Sequence, residues 1–193
     1  MPDSQLVLDL TLTIRHDGHG GVADDLTEPA GLTAWVRQHL PDIGEFTADP
    51  ATLASVRELR AAVRALFAKA VRPGEPSPAD ARRLLPEPEA LARLNGAAAR
   101  VPVVPVFTWD AEPLAELRPA APAEPAALLT AVLARAAIAF LAGPDRAKLR
   151  ACHAPRCVRY FLKEHPRQEW CKPSCGNRAR VARHHERHRS VQP

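Results

Sequence analysis

The sequence has few of the features that mark membrane and secreted proteins. Its 193 residues contain four cysteines and 5% aromatic residues. Arg135 interrupts the longest apolar run, residues 126–142, which is therefore shorter than the roughly 18 apolar residues of a membrane-spanning helix. Residues 1–4 lack the basic start of a signal peptide, and no apolar region follows them. These absences favour a cytoplasmic protein with no membrane partner and with reduced cysteines.

Catalytic signatures are also missing. The sequence has no complete nucleotide-binding glycine motif and no nucleophile elbow, and no acid, base and nucleophile converge in it. His16 and His19 lie in a glycine-rich stretch without a third ligand at an obvious spacing, so we interpret them as part of a surface loop. The sequence therefore predicts that the protein is not an enzyme.

A hydrophobic content of 46% with 25% charged residues excludes disordered and collagen-like chains.

Charge divides the chain into two unequal parts. Residues 1–145 hold 13 Lys and Arg against 19 Asp and Glu, whereas residues 146–193 hold 13 against 3. All four cysteines lie in the basic part. The division predicts a globular domain over 1–145 and a small appendage over 146–193 that binds a polyanion.

The first part is predicted to be a predominantly helical α+β domain. Strict alternation of apolar residues over 5–14 indicates a strand. Asp49 followed by Pro50 is typical of a helix start, and Gly143-Pro144 of a helix end. The other predicted elements are helices over 27–40, 88–95 and 126–142, a short helix with a capping box at 77–80, an edge strand over 101–109 and a proline-rich loop over 113–125.

The strongest chemical signal is a set of two close cysteine pairs, Cys152 with Cys157 and Cys171 with Cys175. Four thiolates on two short loops are typical of a structural zinc site. A two-cysteine, two-histidine finger needs about twelve residues between its second cysteine and its first histidine, and only eight separate Cys175 from His184. Four thiolates close the zinc coordination shell, which argues against a zinc hydrolase.

A basic, proline-free segment follows the second cysteine pair and is predicted to be a helix over 176–189. We expect Ala179, Val181 and Ala182 to pack inward. The candidate nucleic-acid contacts are Arg178, Arg180, Arg183, His184, Arg187 and Arg189. The alternative is a solvated basic face with no partner. Tyr160, Phe161 and Trp170 are expected to form the small core of the finger, with base stacking by Tyr160 or Trp170 as a second interpretation.

The string Cys175-Gly176-Asn177-Arg178, together with the other three cysteines, Phe161 and Trp170, resembles the CGNR zinc-finger family. Upstream, the stretches 8–10, 32–35 and 56–63 resemble the ABATE domain that accompanies this finger. The resemblance implies a treble-clef-like finger with four cysteine ligands, a stress-induced transcription regulator that binds DNA, and an N-terminal domain that senses a ligand or docks a partner.

Three functional hypotheses follow. The first is a zinc-binding, DNA-binding regulator with a small-molecule or protein effector at its N-terminal domain. The second is an RNA-binding protein that uses the same basic face, and the third is a zinc-finger module that binds a protein. A single finger reads only a few base pairs, so a specific regulator is expected to need a homodimer or a partner.

Overall fold

The computed structural model of the chain describes residues 3–17, 19, 21–80 and 84–189. Over this part the fold combines α-helices with short antiparallel hairpins, which confirms the predicted, mainly helical α+β class. The helices are α1 (Asp3–Leu12), α2 (Pro29–His39), α3 (Pro50–Ala70), α4 (Glu87–Ala99), α5 (Pro125–Ala142) and α6 (Pro173–Arg189). The hairpins pair β1 (Ile14–His16) with β2 (Val22–Asp24), β3 (Val103–Trp109) with β4 (Pro113–Pro119), and β5 (Leu149–Ala151) with β6 (Tyr160–Leu162).

Helix α5 lies at the centre of the core, in contact with α1, α3 and α4. Its 18 residues have a mean hydropathy of 1.9, so length and composition alone would allow it to cross a membrane. In this structure Leu129, Leu133 and Phe140 are buried, and the Phe140 ring lies 5.2 Å from that of Phe67 on α3. The apolar character of α5 is therefore explained by core packing.

Helix α3 begins as the sequence predicts. The Asp49 carboxylate accepts a hydrogen bond of 2.7 Å from the backbone N–H of Thr52, and Pro50 occupies the first helical position. Both features satisfy the needs of a helix N-terminus, where backbone N–H groups have no partner within the helix. The apolar residues that recur at helical spacing in α3 are buried along the whole helix: Leu53, Val56, Leu59, Val63, Leu66 and Phe67.

The predicted strand over 5–14 is wrong, because most of this segment is α1. The helix contacts α3, α5 and β6, so apolar residues are needed on most of its circumference. The alternation of apolar residues over 5–14 therefore does not indicate a strand. Its few polar positions do follow a helical spacing. Gln5 Nε2 donates a hydrogen bond of 2.8 Å to Asp9 Oδ1, four residues later.

Three other predictions also need correction. Residues 113–119 form β4 rather than a loop, and α4 does not end at Gly96 but continues to Ala99. The capping box at Ser77 does not form. The Asp80 carboxylate contacts Arg64 and Tyr160 instead, and part of that predicted helix, residues 81–83, lies outside the described residues.

Candidate metal centre and basic helix

The first cysteine pair lies at the tip of the β5–β6 hairpin. Cys152 follows β5 directly, and its backbone N–H donates a hydrogen bond of 2.9 Å to the Arg159 carbonyl. The backbone N–H of Cys157 donates a hydrogen bond of 2.9 Å to the Ala154 carbonyl, which closes a turn in the loop. Arg156, between them, has a positive φ of 63°. This tight turn directs both thiols to the same side of the hairpin.

The second pair lies at the start of α6. Cys171 precedes the helix, and Cys175 lies in its first turn, where its N–H donates to the Lys172 carbonyl at 3.0 Å. The second pair therefore lies at the end of α6 that carries the partial positive charge of a helix N-terminus.

The structure brings the four cysteines together. Their sulfur atoms all lie within 4.8 Å of one another, with Cys171 Sγ 3.7 Å from Cys157 Sγ and 3.5 Å from Cys175 Sγ. Zinc–sulfur bonds of about 2.3 Å in a tetrahedron place neighbouring sulfurs about 3.8 Å apart. Three of the cysteines are buried and Cys171 is half-buried. The donor set and its spacing therefore fit a closed, structural zinc ion.

The charge properties of the cluster also point to a cation. Hydrogen bonds from the neighbouring thiols, first that of Cys157, lower the pKa of Cys152 to about 2. The contact with Cys152 raises the pKa of Cys157 to about 11, and contacts with Cys152 and Cys157 raise that of Cys171. One thiolate is stable among the other thiols, whereas further thiolates would repel it. A divalent ion removes that repulsion.

The residues after Cys175 support the centre in different ways. A Cβ at Gly176 would lie 3.1 Å from Cδ1 of Trp170, so glycine allows the indole ring to pack over the start of α6. Asn177 accepts a hydrogen bond from Arg180. Trp170 is half-buried against the cysteines together with buried Phe161, as expected for the small core of the finger.

Arg178 differs from the other arginines of α6. Its Nη2 lies 3.1 Å from Cys175 Sγ, and its Nε is buried without a hydrogen-bond partner among the described residues. The guanidinium therefore faces the cysteine cluster. A zinc ion with four thiolates carries two negative charges, so a cation here offsets part of the charge of a loaded site.

The remaining candidate contacts lie mostly on one exposed face. Arg180, Arg183 and Arg187 follow one another at spacings of three and four residues, which places them on the same side of α6, and His184 adjoins them. Their side chains line a surface depression along the helix. The Arg189 side chain lies outside the described residues. We call this surface, formed by Arg180, Arg183, His184 and Arg187, the arginine face.

The inward side of α6 differs in part from the prediction. Ala179 is buried and Ala182 is half-buried, but Val181 is 56% exposed and does not pack inward. The helix has a narrow buried stripe because only its first half lies against the finger.

Tyr160 does not belong to the core of the finger. It is 1% exposed, lies in the main core, and meets the Phe67 ring at 5.4 Å. Its hydroxyl donates a hydrogen bond of 2.7 Å to Asp80 Oδ2, and burial raises its pKa. A buried ring with a bonded hydroxyl has no free surface, so base stacking by Tyr160 is excluded.

The same network joins α3 to the finger, and the sequence did not indicate its contacts. Arg64 Nε donates to Asp80 Oδ1 at 2.7 Å, and Ser77 Oγ donates to the Val158 carbonyl at 2.8 Å. The charged side chains of Arg64 and Asp80 are both buried. The available signal was the presence of Arg60 and Arg64 on the apolar stripe of α3, since a buried arginine needs an acceptor.

Arg60 satisfies that need with a second carboxylate. Its guanidinium makes two hydrogen bonds of 2.6 Å to Asp24 and one of 2.7 Å to Thr13 Oγ1. Burial acts to raise the pKa of Asp24, but the Arg60 hydrogen bond and charge outweigh it, so the pKa is lowered. This pair fixes β2 and the end of α1 against α3.

Two family models match the chain. Residues 4–144 match the ABATE model, described as "Putative stress-induced transcription regulator". Residues 148–188 match the CGNR zinc-finger model. Neither description is that of an enzyme. A comparison with curated proteins gave no match.

Proposed function

The chain belongs to the ABATE family and carries a CGNR zinc finger after its ABATE part, and on that basis we propose that it is a zinc-dependent, DNA-binding transcription regulator. The observation that supports this proposal most directly is the arginine face on a helix whose first turn carries a cysteine of the candidate metal centre. A metal that anchors the helix also orients its basic side.

In this proposal Cys152, Cys157, Cys171 and Cys175 hold a structural zinc ion. The ion supplies a fixed link between the β5–β6 hairpin and α6, which are otherwise joined by a loop over 163–172. Such a link contributes to folding directly, because structural zinc binds small modules with about 10–16 kcal/mol. Four thiolates leave no position for water or substrate, so we propose no catalytic role for the ion.

Nucleic-acid contact is assigned to the arginine face, and Arg189, in the last turn of α6, stays a candidate from the sequence. Guanidinium groups donate hydrogen bonds in a fork that suits phosphate oxygens and guanine edges. Arg178 was among the sequence candidates, but its contact with Cys175 Sγ supports a role in the metal centre instead.

The proposal gives residues 1–145 the sensing or docking role and residues 146–193 the contact with DNA. Contacts of Arg64 support communication between the two parts. Its guanidinium donates a hydrogen bond to Asp80 on the ABATE side. Its Nη2 also lies 3.4 Å from the Val158 carbonyl oxygen on the finger side. An effector that moves α3 would act on this network. A cytoplasmic location, where thiols stay reduced, is part of the same proposal.

The test is the binding of the zinc-loaded full chain to labelled duplex DNA and to single-stranded RNA at two salt concentrations. We expect duplex binding that a chelator abolishes. Arg180→Gln combined with Arg183→Gln should weaken duplex binding about tenfold. The double variant should also make the plot of log binding constant against log salt concentration less steep, by about 0.9 for each phosphate that it no longer neutralises.

The matched control is Arg93→Gln, which removes a partly exposed arginine of α4 that pairs with Glu89, far along the chain from the finger. It should leave the affinity unchanged. Preference for single-stranded RNA would favour the RNA-binding alternative, in which half-buried Trp170 is the remaining aromatic candidate for stacking. Absence of binding to both nucleic acids by the folded, zinc-loaded chain would refute the proposal and indicate a protein partner.

A further inference from the structure

Exposed apolar side chains are concentrated on one element of the molecule. The described residues include nine large hydrophobic side chains that are exposed, and five of them lie on the β3–β4 hairpin. These five are Val104, Phe107, Trp109, Leu114 and Leu117. The other four are distributed singly over separate segments, as is normal for a protein surface.

The register of the hairpin collects apolar residues on one side. Side chains alternate along each strand, and the register pairs Phe107 with Ala115 and Trp109 with Pro113. One side therefore contains no charge and no polar side chain. We call it the apolar face, and it consists of Val103, Pro105, Phe107, Trp109, Pro113, Ala115, Leu117 and Pro119.

The edges of this hairpin are poorly suited to adding another strand. Ala120 N donates a hydrogen bond of 2.9 Å to the Pro102 carbonyl, so odd-numbered residues of both strands direct their backbone groups outward. Pro105, Pro113 and Pro119 occupy such outward positions and have no N–H to offer. Prolines at these positions block edge pairing and leave the apolar face as the surface available for contact.

We propose that the apolar face is the interface of a homodimer. Its size supports this occupant. Phe107 is 63% and Trp109 71% exposed, which at about 200 Å² per ring leaves about 270 Å² of aromatic surface uncovered. A stable interface buries about 800 Å² on each partner. The rings supply about a third of that area, and the other residues of the face, nearly all exposed, add to it.

The chemistry of the face favours a second copy over a different protein. A two-fold interface must be complementary to itself, and an uncharged apolar strip meets that condition without placing like charges together. The charged residues on the opposite side of the hairpin, Glu116 and Arg118, pair with each other within the chain. The apolar face thus has no group with which to recognise a charged or polar partner.

The test is the oligomeric state of the zinc-loaded full chain, measured by sedimentation velocity from 1 to 100 μM. We expect a concentration-dependent dimer. Phe107→Thr combined with Leu117→Thr should raise the dimer dissociation constant at least tenfold, and threonine preserves strand propensity. Retained zinc content and an unchanged circular dichroism spectrum show that the variant is folded.

The matched control is Val104→Thr, on the opposite side of the same hairpin, which should leave the dimer intact. A monomeric wild-type chain at 100 μM would overturn the inference, and so would equal effects of the two substitution sets. The result is independent of nucleic-acid binding. If the proposed function also holds, the dimer presents two fingers, and the preferred DNA should contain two related half-sites.

Discussion

Arg178 places a positive charge beside a cluster of four thiols, 3.1 Å from Cys175 Sγ, and its remaining surface is half-buried. Hydrogen bonds from a cation to a ligand sulfur stabilise the anionic form that binds a metal. We predict that Arg178→Gln lowers zinc affinity about tenfold or more, as measured by competition with a chromophoric chelator, because it removes this charge. Arg178→Lys should restore part of the loss.

Arg180→Gln is the control for that measurement, since Arg180 is exposed on the same helix and donates to Asn177 rather than to a cysteine. It should retain zinc as the wild type does. Equal zinc affinity in the Arg178 and Arg180 variants would contradict a role of Arg178 in the metal centre and return it to the candidate nucleic-acid contacts.

Helix α1 illustrates how an element can be misread when nearly all of its circumference is buried. A strand over 5–14 would place Val7 on the opposite side from Leu6 and Leu8, whereas in α1 all three are buried and Val7 is 1% exposed. We predict that Val7→Ala lowers the free energy of unfolding by about 2 kcal/mol, because it removes buried methyl groups and leaves a cavity. Urea denaturation measures the change.

The comparison variant for α1 is Gln5→Ala at an exposed position of the same helix. Its effect should stay within about 0.5 kcal/mol. If Val7→Ala lowered the free energy of unfolding as little as Gln5→Ala does, Val7 would not be buried. The evidence that distinguishes the helix from the strand would then be lost.

At the scale of the whole molecule, the finger and the ABATE part share one core. Leu149, Ala151 and Tyr160 from β5 and β6 belong to the main core cluster, and Tyr160 binds Asp80. Zinc binding should therefore stabilise both parts. We predict that chelation lowers the melting temperature reported by Trp35, a buried residue on α2, by about 5 °C or more.

The measurement uses the fluorescence of Trp35 in a chain carrying Trp109→Phe and Trp170→Phe, so that the signal comes from the ABATE part alone. Returning zinc should restore the melting temperature, which controls for direct effects of the chelator. An unchanged Trp35 transition after zinc removal would mean that the two parts unfold independently despite their contacts.

The sequence by itself determined the elements whose signals are local. Asp49 and Pro50 mark the start of α3, Gly143 and Pro144 mark the end of α5, and the spacing of the cysteines indicates a four-thiolate centre. These signals are local because the start of a helix, the end of a helix and each pair of metal ligands depend on residues close together in the chain. The basic α6 after Cys175 was predicted for the same reason.

Only the tertiary structure decided which side chains meet across long separations. The sequence contains no local pattern that joins Arg64 to Asp80 and Tyr160, or that directs Arg178 towards Cys175 while Arg180 remains exposed. Those pairings depend on how the elements pack, because a buried charge must find an acceptor wherever the fold places one. The helical state of α1 was decided in the same way, by burial against α5 and β6.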